Sequence, residues 1–137
     1  MEYLLDWNQK VDIQGFDIRI FDEEQGEMLS QLKHYKAFKF AWDNPRDNID
    51  DKIELLLNYI KPYKLMCYVL IGYWSTPKQD YERVMHLWDK YKIVAFAMPY
   101  DKHDRYQKDF ARWCNNKILF KSMTWKEYQE DKERFYE

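Results

Sequence analysis

The run Met66-Cys67-Tyr68-Val69-Leu70-Ile71 ends at Gly72, and Thr76-Pro77 follows closely. A short apolar run that is rich in β-branched and aromatic residues and closed by glycine is typical of a buried strand. Thr76 is a favoured helix N-cap and Pro77 suits the first helical position, so a helix is predicted to begin there. Its apolar stripe consists of Tyr81, Val84, Met85 and Trp88. The sequence therefore predicts a strand followed directly by a helix.

The same order of strand and helix repeats on both sides of this unit. Three further apolar runs predict strands, at residues 16–21, 38–42 and 94–98. Helical patterns follow them at residues 22–32, 49–60 and 106–114. A last helix is predicted after Thr124, which can form a capping box with Glu127, and residues 118–120 before it are predicted to be a short strand or an extended packing segment. Repeated βα units joined by right-handed crossovers predict a parallel sheet.

Four βα units are too few to close a parallel barrel, which commonly needs eight. The predicted fold class is therefore α/β, either a small doubly wound sheet or half of a partial TIM-like barrel, with a C-terminal helix. In the first predicted strand, Asp17 and Arg19 point to one face while the apolar residues point to the other. Two charges on one face fit a polar barrel interior that holds a ligand. They fit an exposed face with a solvated ion pair equally well.

The chain has 137 residues and a net charge of −2, from 22 basic and 24 acidic side chains. This length fits a single domain over residues 1–137. A nearly balanced charge gives no field that would attract nucleic acid or an anionic membrane, and no apolar run approaches the ~20 residues of a membrane span. The start of the sequence lacks the pattern of a signal peptide, and two cysteines make no disulfide framework. The expected compartment is the reducing cytoplasm.

The residue pattern disfavours several other kinds of site. His34, His86 and His103 lie in separate elements without the spacing of metal ligands. No serine stands in a Gly-x-Ser-x-Gly setting, and three glycines are too few for a phosphate-binding glycine-rich loop. The basic segment 102–108 is predicted to be a solvated helix start rather than a contact for RNA or a peptide.

Polar and small residues follow the predicted strands at positions 43–44, 72–75 and 99–101. In parallel α/β folds, ligands bind at the carboxyl ends of the strands. These positions are therefore candidates for a ligand-binding rim, and ordinary loop chemistry is the alternative for each residue taken singly.

Six motifs stand in order along most of the chain. They are Gln14-Gly15-Phe16-Asp17-Ile18-Arg19, Phe40-Ala41-Trp42-Asp43-Asn44, Tyr68-Val69-Leu70-Ile71-Gly72-Tyr73, Ala97-Met98-Pro99-Tyr100, Phe110-Ala111-Arg112-Trp113-Cys114-Asn115 and Phe120-Lys121-Ser122-Met123-Thr124-Trp125-Lys126-Glu127-Tyr128. Their order and spacing resemble the C-terminal half of radical S-adenosylmethionine (SAM) proteins, from about Gln14 to Tyr128. The resemblance implies four parallel βα units that form half of a partial (βα)₆ barrel.

In that family the N-terminal half carries Cys-x-x-x-Cys-x-x-Cys, whose three thiolates hold a 4Fe–4S cluster and leave one iron open for SAM. The complete enzyme reduces the SAM sulfonium and forms a 5′-deoxyadenosyl radical. These 137 residues contain no such motif. The resemblance therefore implies that this chain binds no cluster and has no such activity alone. Cys67 and Cys114 are expected to be buried, ordinary thiols.

The resemblance also implies which residues contact SAM or the substrate. Leu70 and Gly72 match the family's fifth strand, which packs near the adenine. Asp17 and Arg19 match the fourth strand, whose polar side chains reach the ribose or the substrate. Residues 97–100 match the sixth strand, whose backbone meets the adenine edge. The implied cofactor-binding set is Gln14, Asp17, Arg19, Asp43, Leu70, Gly72, Met98 and Tyr100.

Two functions of different classes are expected from these observations. The first is the C-terminal half-barrel of a radical SAM enzyme, as a fragment or split-gene product, with the missing N-terminal half as its partner. The alternative is a non-enzymatic α/β interaction module that pairs through its open sheet edges with itself or another protein. A free-standing small α/β ligand-binding domain is a third interpretation. No residue recognisable in the sequence blunts the strand edges strongly, so the isolated chain is expected to self-associate.

Overall fold

The computed structural model describes residues 10–11, 18–31, 33–34 and 38–136. A short parallel pair is formed by β1 (Lys10–Val11) and β2 (Lys33–His34). Three longer strands form a separate parallel sheet and lie side by side in chain order: β3 (Phe38–Ala41), β4 (Leu65–Ile71) and β5 (Val94–Pro99). The prediction of an α/β fold with a parallel sheet is thus confirmed.

Helices connect and follow these strands. They are α1 (Glu23–Gln31), α2 (Asp50–Leu57), α3 (Pro77–Tyr91), α4 (Arg105–Asn115), α5 (Lys117–Ser122) and α6 (Trp125–Tyr136). Two 3₁₀ turns lie at Ile18–Ile20 and Pro62–Lys64. Among the described residues, no helix is both long enough and apolar enough to cross a membrane.

Capping boxes are present at the N-termini of α3 and α6. The sequence predicts the box at α6, and at α3 it predicts Thr76 as the N-cap. At the start of α3, the Gln79 backbone N–H donates to Thr76 Oγ1 (3.2 Å), and the Thr76 N–H donates to Gln79 Oε1 (3.0 Å). At the start of α6, Thr124 and Glu127 exchange the same pair of bonds, both at 3.1 Å. Each box satisfies backbone donors that a helix otherwise leaves unpaired, which explains why these helices begin where the sequence predicts.

The three-stranded sheet has one covered face and one open face. Right-handed crossovers between neighbouring parallel strands place their connecting helices on the same side of the sheet. Side chains alternate accordingly along β4, where Cys67, Val69 and Ile71 are buried and Tyr68 and Leu70 are half-buried. The covered face consists of Phe38, Phe40, Leu65, Cys67, Val69, Ile71, Ala95 and Ala97. The open face consists of Lys39, Ala41, Met66, Tyr68, Leu70, Val94, Phe96 and Met98, which are half-buried or exposed.

The prediction of a first strand at residues 16–21 is wrong for the part of it that the structure describes, residues 18–21. Residues 18–20 form a 3₁₀ turn, closed by a hydrogen bond from the Phe21 N–H to the Ile18 carbonyl (3.1 Å). The turn brings Ile18 and Phe21, three residues apart, into the core together, and the Lys52 ammonium of α2 donates to the Phe21 carbonyl (2.7 Å). Packing against α2 therefore overrides the alternating pattern. Asp17 lies outside the described residues.

The segment 118–120 is likewise helical, not a strand or extended segment. The Asn116 side-chain oxygen accepts from the backbone N–H groups of Ile118 (3.0 Å) and Leu119 (3.2 Å), which starts α5. The helix places the Phe120 ring 5.0 Å from that of Trp113, centroid to centroid. The segment is too short for its periodicity to indicate a secondary structure. The N-cap and the aromatic contact determine that it is helical.

Candidate ligand-binding rim

The carboxyl ends of β3, β4 and β5 meet at one edge of the sheet, which is called the rim below. The Trp42 N–H donates to the Tyr68 carbonyl (2.8 Å), and the Tyr100 N–H donates to the Ile71 carbonyl (3.1 Å). These bonds extend the strand ladders past the last strand residues. The segments that follow the three strands are therefore held next to one another, as the parallel arrangement predicts.

A buried guanidinium fastens two of these strand ends together. Arg83 of α3 is 3% exposed, and its Nη1 donates to the carbonyls of Trp42 (2.7 Å) and Asp43 (3.2 Å). Its Nη2 donates to the Leu70 carbonyl (2.8 Å). Because the rigid planar fork of arginine offers several donors at once, one side chain can join the end of β3 to β4.

A buried carboxylate balances that charge. Asp80 is fully buried, and its Oδ1 accepts from Arg83 Nη2 (2.9 Å) and from the Ser75 hydroxyl, while its Oδ2 accepts from the Tyr106 hydroxyl (2.8 Å). Burial lowers the pKa of Arg83, and the facing carboxylate counteracts that shift. Burial and the bond to Asp80 raise the pKa of Tyr106, so its hydroxyl remains a donor.

This network makes the rim rigid. Removing one member of a buried ion pair leaves the other charge uncompensated, which typically costs about 3–5 kcal/mol. The bonds from Ser75 and Tyr106 connect the loop after β4 and helix α4 to the same carboxylate. Asp80 and Arg83 therefore position the loops of the rim.

Gly72 allows a close approach at the end of β4. Its φ of +81° is a conformation that residues with a side chain rarely adopt. A Cβ at this position would also collide with the Gln107 carboxamide. Gln107 is buried, and its Oε1 accepts from the Asp101 N–H (2.8 Å). The glycine thus lets α4 and the loop after β5 pack tightly against the end of β4.

Three aromatic side chains stand on the rim and face solvent. Tyr73, Trp74 and Tyr100 are 51%, 55% and 63% exposed. The Tyr73 ring centroid lies 4.8 Å from that of Trp74 and 4.6 Å from that of Tyr100. The rings are tilted relative to one another, by 55° and 34°, and together they form a continuous exposed apolar surface. Met98, 42% exposed and paired in register with Leu70, continues the apolar surface onto the open face.

The structure brings together five of the eight residues implied by the resemblance. Asp43, Gly72 and Tyr100 lie at the rim, and Leu70 and Met98 lie beside one another on the open face.

The other three implied residues do not join this group in the described structure. Arg19 lies on the first 3₁₀ turn, is exposed, and has its Nη1 3.9 Å from Asp47 Oδ2 in the loop after β3. Gln14 and Asp17 lie outside the described residues.

Sequence reasoning missed Asp80, Arg83 and Gln107, which hold the rim in place. A signal was present for the first two, because positions 80, 83, 84, 87 and 91 share one side of α3 and all are buried. Two opposite charges on the buried stripe of a helix indicate an internal ion pair. For Gln107 the sequence offers no comparable signal, since its role depends on a contact with Gly72.

Both cysteines are buried, as expected. Burial raises the pKa of Cys67 well above its usual value and that of Cys114 to about 12. Both thiols therefore stay protonated near neutral pH, as ordinary buried cysteines do. Within the described part of the chain, no three or more His, Cys, Asp or Glu side chains are grouped closely enough to hold a metal ion.

Comparisons of the chain with protein-family models, with curated proteins and with solved structures give no match. The function therefore has to be argued from the geometry of the rim and the open face, together with the motifs in the sequence.

Proposed function

We propose that this chain is the C-terminal half-barrel of a radical SAM enzyme, and that its open face and rim form one wall of the SAM and substrate cavity. The observation that carries the proposal is the apolar open face. Tyr68 and Phe96 meet there edge to face, with ring centroids 5.9 Å apart, and neither side chain is fully buried. Such a surface is one that a complete barrel would enclose.

The arrangement of helices supports a barrel over the other parallel folds. In a doubly wound sheet, helices cover both faces of the strands. In β3–β5 the connecting helices share one face, and the other face is apolar except for Lys39. A barrel wall has these properties, because its inner face turns towards the remaining strands.

The outer edge of β5 supports the proposal that this chain forms the C-terminal half of the barrel, with β5 as its last strand. The Ala97 N–H donates to Asn115 Oδ1 (2.7 Å), and Asn115 Nδ2 donates to the Ala97 carbonyl (3.1 Å). The amide thus imitates a neighbouring strand and prevents another strand from pairing there. An open barrel needs such a closure at its last strand, so further strands would have to join at β3.

In this proposal the residues of the chain bind and orient, and the cluster is held by residues outside these 137. When bound, a reduced cluster supplies the electron that cleaves the SAM sulfonium. Leu70 and Gly72 are proposed to pack near the adenine, with Met98 and Tyr100 on the neighbouring strand end. The rigid rim held by Arg83 would fix these contacts. The proposal gives Cys67 and Cys114 no cluster role, because two cysteines cannot supply the three thiolates that the cluster needs.

The test is to search the DNA next to this gene for a reading frame with three closely spaced cysteines and to co-express its product with the chain. We expect the two to co-purify, to take up a 4Fe–4S cluster that the chain alone does not, and to form 5′-deoxyadenosine from SAM when reduced with dithionite. Leu70→Asp on the open face is expected to lower that product at least tenfold. The matched control Ile118→Asp, at a residue 79% exposed on α5, should leave it unchanged.

Two results would contradict the proposal. One is a pair that associates and binds the cluster yet forms no 5′-deoxyadenosine. The other is the absence of any such reading frame, together with a rise in mass from 17.2 kDa to that of a dimer with increasing concentration in light scattering. That result would favour the interaction module, with the open face or the edge of β3 as its contact surface, since Asn115 occupies the edge of β5.

A further inference from the structure

A basic pocket of about 410 Å³ lies between α4 and α6 and is separate from the proposed function. It is lined by His103, Arg105, Lys108, Asp109, Arg112 and Lys132. Four permanently cationic side chains thus face one carboxylate in a chain whose net charge is −2. Such a local excess of positive charge attracts anions even when the whole protein is slightly acidic.

The helix carries these cations at an electrostatic cost. Arg105, Lys108 and Arg112 are spaced three and four residues apart, so they share one side of α4. Lys108 and Arg112 repel each other, because like charges four residues apart destabilise a helix. Arg105 also lies in the first turn of α4, where the helix dipole disfavours a cation and where the acidic side chain present is that of the N-cap, Asp104. Unfavourable charge placement of this kind is expected at functional sites, where a ligand can compensate for it.

The nearby carboxylates leave two of the cations without an ion pair. Asp109 is shared, with its Oδ2 3.8 Å from Arg105 Nε and its Oδ1 3.9 Å from Lys132 Nζ. Asp104 caps α4 by accepting from the Gln107 N–H at 3.0 Å. Among the described residues, Lys108 and Arg112 form no salt bridge. Their charges are available to a ligand.

We propose that the basic pocket binds a small phosphorylated ligand, whose phosphate oxygens contact the Arg112 guanidinium and the Lys108 ammonium. Arginine binds phosphate in a two-point geometry, and lysine adds a point charge. Arg105 and Lys132, held by Asp109, add positive potential from either side of that carboxylate. The cations are confined to one pocket instead of forming an extended stripe, which favours a small ligand over a nucleic-acid strand.

The test is calorimetric titration of the full chain with inorganic pyrophosphate at low ionic strength. We expect saturable binding, and at least tenfold weaker binding in the double variant Lys108→Gln/Arg112→Gln. The matched control is Lys117→Gln/Lys126→Gln, which removes the same charge from exposed residues of α5 and α6 outside the pocket. Circular dichroism of the variants checks that both remain folded.

Three outcomes would overturn the proposal. Pyrophosphate that does not bind saturably would exclude the site. Equal weakening in the two double variants would show attraction to net charge and not to the pocket. A single-stranded RNA oligonucleotide that binds more tightly than pyrophosphate, with an affinity that falls steeply with salt, would identify the patch as a nucleic-acid contact. None of these readouts involves a cluster or SAM, so they are independent of the function proposed above.

Discussion

The two faces of the β3–β5 sheet are built from alternate residues of the same strands, and their surroundings differ. Phe40, Cys67 and Val69 on the covered face are completely buried, whereas Tyr68 and Phe96 on the open face are half-buried. Apart from Lys39 on the open face, both faces are apolar, which in a parallel sheet normally means that both are covered. Packing against the helices explains the apolar side chains of the covered face, but it does not explain those of the open face.

Paired substitutions of phenylalanine measure this difference directly. Phe40→Ala on the covered face is expected to lower the free energy of unfolding by about 3–5 kcal/mol, because it leaves a cavity beneath the helices. Phe96→Ala on the open face is expected to cost about 1 kcal/mol, mainly through loss of the edge-to-face contact with Tyr68. Urea unfolding at low protein concentration gives both values.

Equal losses in the free energy of unfolding for the two substitutions would contradict the difference in burial between the two faces. They would mean that Phe96 is as deeply buried in solution as Phe40, and that a second copy or another part of the chain lies on the open face. A cost for Phe96→Ala that grows with protein concentration would identify the second copy.

The sequence was most informative where local chemistry decides the structure. The start of α3 at Thr76 and the turn at Gly72 were predicted because capping and glycine preferences act over a few residues. The 3₁₀ turn at Ile18–Ile20 was not, since its two buried side chains are placed by contact with α2. Short segments have too few residues for hydrophobic periodicity to indicate a secondary structure, so tertiary packing determines it.

The candidate site divides in the same way. Gly72 and Tyr100 were found because they lie within two residues of the ends of the predicted strands 66–71 and 94–98, where ligands of parallel folds bind. Arg83 and Asn115 were missed because their partners are backbone groups in other elements, 41 residues away for the bond from Arg83 to Trp42 and 18 residues away for Asn115. A side chain that pairs with a distant carbonyl leaves no pattern in its own neighbourhood.

A smaller effect is expected at the edge that separates the two faces. In Asn115→Asp, a carboxylate oxygen replaces the amide nitrogen that donates to the Ala97 carbonyl, so two acceptors face each other. The expected loss in the free energy of unfolding is about 1–3 kcal/mol at pH 7. Asn116→Asp makes the same chemical change one residue later, where aspartate can still cap α5, and should change stability by less than about 0.5 kcal/mol.

Equal losses in these two variants would contradict the role of Asn115 as the closure of β5. The Asn115→Asp variant also sharpens the contrast between edge and face. If self-association of the chain uses the open face, this variant should associate as the unmodified chain does. If it uses the strand edge, exposing the β5 backbone should strengthen association in light scattering.

The smallest expected effect on stability is at the polar contacts between α2 and α3, two of the helices that cover the sheet. His86 Nε2 of α3 lies 2.7 Å from Asp50 Oδ1 of α2, and Lys90 Nζ lies 3.8 Å from Asp50 Oδ2. Partial burial opposes ionisation of Asp50, but the hydrogen bond with His86 and the charges of His86 and Lys90 outweigh it. The pKa of this carboxyl is therefore below its usual value of 3.8.

A carboxyl whose pKa is lowered by folding stabilises the folded state above its unfolded pKa and loses that contribution as the pH falls through the folded value. Asp50→Asn is therefore expected to cost about 0.2–1 kcal/mol at pH 5, as for other partly exposed ion pairs, and the difference should shrink as the pH falls below 3.8. Asp51→Asn, in the same first turn but exposed, should show a smaller change. Urea unfolding from pH 3 to pH 6 measures both. A cost for Asp50→Asn that matched Phe40→Ala would mean that this polar contact, and not the apolar face, holds the helices against the sheet.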